Sequence, residues 1–191
     1  MKKFIYILLF FIPGYTLPGA VGQAAVNPTQ VRPNQQLESQ FQANNLSATQ
    51  FPAFEKRAIQ KLVDFGDYLE IIGNPAYEKS LREHAVELIY GLFVSKNVSI
   101  GQWGTVSALA HTRLAGKDKS GDIIITDISV SQPLKFQENR VAGELTFALK
   151  SVKNNIQQTY SSEITLRQTH KKFGNETIGV WEVFLGEIKE K

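Results

Sequence analysis

Thr159-Tyr160-Ser161-Ser162-Glu163-Ile164-Thr165-Leu166-Arg167 alternates without a break. Tyr160, Ser162, Ile164 and Leu166 fall on one parity, and Thr159, Ser161, Glu163, Thr165 and Arg167 on the other. A period of two is the mark of a strand that buries one face. The same period holds upstream, where Val141, Gly143, Leu145, Phe147 and Leu149 alternate with polar or small neighbours. Between Asp122 and Phe136 it places Ile124, Ile128, Val130, Leu134 and Phe136 on one parity. A last strand runs from Gly179 to Ile188, with Trp181, Val183 and Leu185 on one face and Ile178, Val180 and Phe184 on the other. Gln137-Glu138-Asn139, Asn154-Asn155 and Phe173-Gly174-Asn175 supply the turns. Connections that short join only antiparallel neighbours, so residues 122–190 read as a meander.

Before the meander the period is helical. Phe54, Ala58, Ile59, Leu62, Phe65, Leu69 and Ile72 recur at steps of three and four, behind Ser47 or Thr49 as caps and Pro52 as the opening residue. Gly73-Asn74-Pro75 ends that helix, and Asn74 with Pro75 is expected to start a second. Leu81, Ala85, Leu88, Ile89 and Leu92 give the second helix its own stripe. The fold class expected is α+β: an N-terminal helical hairpin packed on a curved antiparallel β-sheet meander.

The chain opens on Lys2-Lys3, a short apolar run Phe4–Ile12, the breaker Pro13-Gly14, and the small-residue site Gly22-Gln23-Ala24. That order reads as a cleavable secretory signal peptide over residues 1–24. A bilayer anchor needs roughly 20 apolar residues, about twice this run. The mature protein is therefore expected in the periplasm or outside the cell, with no stable membrane insertion. Residues 25–50, with six Gln and four Asn, read as a polar linker, either a disordered tether or a helix over residues 34–44, and residues 51–191 as a single α+β domain. The leader removes two of 21 basic residues and none of the 18 acids, leaving a net charge of +1. A charge so small gives no field for nucleic acid. The absence of cysteine rules out a disulfide framework, a thiolate metal site and a lipoprotein anchor.

Two paired helices, an irregular passage, and a bent antiparallel sheet ending in Gly179-Val180-Trp181-Glu182-Val183 resemble the nuclear-transport-factor-two-like, or SnoaL-like, superfamily. Leu92–Ile100 is similar to the family's passage from a leading Phe through a polar turn into a first strand. The family's common Gly-Asp-Tyr tripeptide appears as Gly66-Asp67-Tyr68, but within the first helix instead of opening the second. The resemblance covers residues 52–190. It implies a cone of sheet around the helices, with a pocket that hosts proton transfer in some members and plain binding in others.

Within such a cone His111 is the best candidate for a proton relay, because the passage from Gly101 to His111 would line the pocket mouth. Asp122 or Asp127 is its candidate acid, Asp64 on the first helix is a further one, and Trp103, Tyr68 and Asp67 are the candidate ligand pocket. His84 and His170 read as helix flank and solvent-exposed turn. Three scattered histidines without a His-Glu-x-x-His pair point to no metal, and no cofactor is expected. Gly116–Gly121 has the glycine spacing of a phosphate loop, but Asp122-Ile123 stands where Lys-Ser/Thr is required. A last strand apolar on both faces suggests an interaction face at Ile178, Val180 and Phe184, pairing with a second copy as a homodimer or with an envelope protein. The function expected is thus an exported non-catalytic binding or protein-interaction module of the bacterial cell envelope. The alternative is a cofactor-free isomerase, cyclase or dehydratase with a His–acid relay. A third is an accessory subunit of an envelope machine that docks through its Gln/Asn-rich segment.

Overall fold

The computed structural model of the chain describes residues 46–118, 123–138, 140–151 and 156–191. The expected leader, most of the linker, Asp122, Asn139 and the Asn154-Asn155 turn lie outside the described residues. Leu46 packs against the core. Ser47 Oγ accepts the Thr49 amide at 3.4 Å while the Gln50 side chain accepts the Ser47 amide at 3.1 Å. This reciprocal cap opens the 3-10 turn Ala48–Gln50, which feeds helix α1, Phe51–Gly73. Pro52 sits in the first turn of α1, where an amide would have no helical partner to lose.

The apolar stripe of α1 is the one its spacing predicts, with Ala58, Leu62, Phe65, Leu69 and Ile72 all buried. Helix α2, Lys79–Tyr90, departs from expectation in two ways. It starts four residues after Pro75, because the Asn74 side chain takes the Ala76 amide at 3.0 Å and its carbonyl takes the Tyr77 amide at 3.3 Å. That local turn competes with helix initiation. Its buried face is Ala85, Val86 and Ile89, whereas Leu81 and Leu88 are 45% and 39% exposed. A third helix, α3, Val106–Leu114, occupies the passage expected to be irregular. Thr105 caps it by accepting the Ala108 amide at 3.2 Å.

The three helices precede a four-stranded antiparallel sheet in chain order: β1 Ile123–Gln137, β2 Arg140–Ser151, β3 Ile156–Phe173 and β4 Glu176–Glu190. The expected α+β class is the observed one. Helix α1 touches both β1 and β4, the two outer strands, so the sheet curls about the helix. Bulges supply the bend, with register shifts at Thr126/Ser129, Val130/Gln132 and Gln132/Lys135 against β2 and at Ser162/Ile164 against β4. They also correct the reading of β1. Asp127 takes a positive φ of 53°, and the extra residue there flips the side-chain parity. Ile123 is buried and Ile125 packs on the core, while Ile124 is 45% exposed. Beyond the bulge, Ile128 and Val130 face the core as the spacing predicts.

The sheet's edges are closed on both sides. Residues 92–99 run along β4, exchanging backbone bonds between Val94 and Leu185, Leu185 and Leu92, and Ile188 and Ser99 at 2.9–3.0 Å. The outer edge of β1 carries Pro133, and its Leu134 amide donates to the Glu55 carboxylate at 2.7 Å. A proline and a side-chain acceptor block further strand pairing there. Among the described residues no helix is long and apolar enough to cross a membrane.

Candidate functional site

Strands β3 and β4 outrun their neighbours. Val141, near the start of β2, pairs with Leu166, and beyond it β3 and β4 continue through seven further pairs, Arg167–Glu182 to Phe173–Glu176. At this end of the sheet a cavity of about 1030 Å³ opens between the β1–β2 turn, β3, β4 and the 94–99 segment. Its apolar wall is Val94, Val98, Phe136, Val141, Leu166 and Trp181. Leu46, the first described residue, lines it as well. The charged groups around it are Arg140, Arg167, Glu138, Glu163 and Glu187. Arg140 is committed to Glu163 at 2.7 Å, and Glu187 to Lys189 at 2.9 Å. The Arg167 guanidinium donates only a long bond, 3.4 Å, to the Val94 carbonyl, and has no carboxylate partner among the described residues. The Trp181 indole N–H is buried and finds no acceptor among the described residues. An unmet buried donor of that kind costs about 1–3 kcal/mol.

The residues picked out for chemistry do not meet here. His111 is exposed in the last turn of α3, its Nε2 3.3 Å from the Tyr90 hydroxyl, which in turn lies 3.5 Å from Ser107 Oγ. Asp127 is exposed at the β1 bulge and accepts from Thr126 Oγ1 at 3.1 Å. Asp64 accepts from Gln60 Nε2 at 2.9 Å one turn back on α1. None of the three bonds to another, and none lines the cavity. Trp103 meets Tyr160 in a tilted ring contact, centroids 5.6 Å apart, and belongs to the core margin. Tyr68 packs on the core and Asp67 is exposed, so the expected ligand pocket is not where the cavity lies.

The expected interaction face is partly used by the protein itself. Val180 is buried, and Ile178 and Phe184 are half-buried. The Lys61 ammonium sits 4.5 Å over the Phe184 ring and donates to the Gly91 carbonyl at 3.0 Å. Burial lowers the Lys61 pKa, opposed by the attraction of Glu182. Burial would raise the Glu182 pKa, but hydrogen bonds from Lys171 at 2.6 Å and Thr169 at 2.8 Å outweigh it and hold the carboxyl low. A carboxyl depressed in the folded state adds stability above its unfolded pKa, about 4.3, and loses it as pH falls through the folded value. The Tm gap between the native chain and Glu182→Gln is therefore expected to be widest near neutral pH and to close in acid below about pH 4. A gap that stays constant from neutral to acid would contradict this.

The cavity wall was legible only in pieces. Trp181 stood out as a large aromatic, and the 92–100 passage through its leading Phe. Arg140 and Arg167 carry no mark of a shared site in the sequence, because only the folded sheet brings them together at the cavity. Neither a protein-family model nor a curated protein sequence matches this chain.

Proposed function

We propose that this protein is an exported, non-catalytic binding or protein-interaction module of the bacterial cell envelope, and that its partner docks in the cavity beneath the β3–β4 overhang. The observation that carries this reading is the lining. An apolar wall of valines, Phe136, Leu166 and Trp181, edged by an arginine without a carboxylate partner among the described residues, suits recognition of a segment bearing apolar side chains and a carboxylate. The titratable groups at the wall are arginines and glutamates, which suit charge pairing better than proton relay near neutral pH. Export is supported by the Lys2-Lys3, Phe4–Ile12 and Gly22–Ala24 order. The order of helices then curled meander also supports kinship with the nuclear-transport-factor-two-like superfamily. A second copy meeting β4 through Ile178, Val180 and Phe184 has less to hold, because Val180 is buried and Phe184 lies under Lys61.

A photo-crosslinking residue placed at Val98 or Phe136 in cells tests the reading. The expected result is a discrete heavier adduct from both positions and none from Leu81, which lies outside the cavity. Adducts from Leu81 alone, or none from either cavity position, would remove the cavity as the docking site.

A further inference from the structure

The chain enters the described domain at the cavity wall, and that constrains what lies next to it. Leu46 both lines the cavity and packs against the core. A fully extended chain reaches at most about 3.6 Å per residue, so Phe41 is within about 18 Å of Leu46 and Glu38 within about 29 Å. The composition of this stretch matches the wall it adjoins. In Leu37-Glu38-Ser39-Gln40-Phe41-Gln42-Ala43-Asn44-Asn45, Leu37 and Phe41 are the large apolar residues, and Glu38 is the only acid between Ala25 and Asn45. The cavity offers Val98, Phe136 and Trp181 to an aromatic ring, and Arg167, which has no carboxylate partner among the described residues, to an acid. A covalently attached segment also acts at an effective concentration in the millimolar range, so weak contacts suffice to fill the site.

We propose that the cavity is occupied by the chain's own residues Leu37–Phe41, with Phe41 against the apolar wall and Glu38 on Arg167, and that an external partner must displace them. The second half of this statement rests on the reading of the cavity as the partner's docking site. The first half does not. Self-occupancy makes the cavity a competed site, and partner affinity falls by the fraction of time the segment holds it.

The protein has no cysteine, so an introduced pair reports without background. In the full mature chain, Gln42→Cys with Val98→Cys is expected to oxidise to an intramolecular disulfide at least about 10-fold faster than Gln42→Cys with Leu81→Cys. Disulfide formation needs Cα atoms within about 7 Å, and because position 98 shares the wall that Leu46 lines, the comparison that separates docking from mere tether proximity is the first pair with and without Glu38→Lys. Adding Glu38→Lys is expected to slow the first pair toward the second. Equal rates for the two pairs would overturn the proposal, as would a disulfide forming between two chains. In a Trp103→Phe background, which leaves Trp181 as the only tryptophan, Leu37→Asp with Phe41→Asp is expected to red-shift the emission. An unchanged spectrum would also overturn it. A fast intramolecular disulfide together with no partner adduct from position 98 would leave self-occupancy standing and remove the partner reading alone.

Discussion

Phe65→Ala is expected to destabilise the domain by about 3–5 kcal/mol, the range for emptying a buried aromatic site. Phe65 is 1% exposed in the middle of α1 and meets Phe93 edge-on, with ring centroids 5.1 Å apart and planes at 82°. Phe93 stands at the start of the segment that closes the edge of β4, through its bridge to Leu185. Removing the ring therefore opens a void where α1, the 92–99 segment and β4 converge. The surroundings cannot collapse into it readily, because Leu62 and Leu69, one turn either side, are themselves buried in fixed positions. For a domain of this size the loss corresponds to a Tm lowered on the order of 10 °C. Val63→Ala, two residues away and 38% exposed, is the control and should stay within about 0.5 kcal/mol of the native chain. Thermal melts of the two variants check the pair, and a Phe65→Ala loss no larger than that of Val63→Ala would refute the placement of the core.

Phe65 also shows what is readable in this sequence. Its place in a stripe of step three and four depends only on local periodicity, and the structure buries that stripe. The alternation of β2, β3 and β4 is equally local, and the core-facing parities are those read from the chain. The misreadings share one cause. Each depends on a backbone event that side-chain type does not encode strongly. Asp127 adopts a positive φ and shifts the parity of β1. Asn74 folds its side chain onto the backbone and delays α2. Thr105 caps α3 in a stretch whose glycines at 101 and 104 suggest a loop, and both glycines do take positive φ just before the helix. The cavity is hard to read from the sequence for a different reason: it forms where distant segments meet, at the β3–β4 overhang, the β1–β2 turn and the entering chain at Leu46, and His111, Asp127 and Asp64 lie away from it.

Arg113 is the residue whose role no local pattern shows, and its replacement by methionine is expected to cost about 3 kcal/mol. The residue is 4% exposed. Its Nε donates to the Leu69 carbonyl in the penultimate turn of α1 at 3.0 Å, and Nη1 pairs with Asp118. Arg82 works beside it, donating to the carbonyls of Ile72 at 2.8 Å and Leu114 at 2.9 Å. Together the two guanidiniums bring positive charge and donors to the C-terminal ends of α1 and α3, where the Ile72 and Leu114 carbonyls lie past the last helical donors and the helix dipole is negative. Methionine keeps most of the apolar stem but removes the guanidinium that pairs with Asp118 and the donor to Leu69. The same geometry gives Gly73 a reason. A Cβ on Gly73 would lie 2.7 Å from Arg113 Nη2 and 3.2 Å from its Cζ, and the guanidinium cannot swing aside without breaking its bonds to Leu69 and Asp118. Gly73→Ala should therefore destabilise by about 1–3 kcal/mol as an overpacked site, although alanine in a helix ordinarily gains up to about 1 kcal/mol over glycine. In the Arg113→Met background the clash is gone, and Gly73→Ala should be neutral or stabilising. The double-mutant cycle is expected to give a coupling of at least about 1 kcal/mol; additivity within about 0.5 kcal/mol would show that the guanidinium does not lie against Gly73.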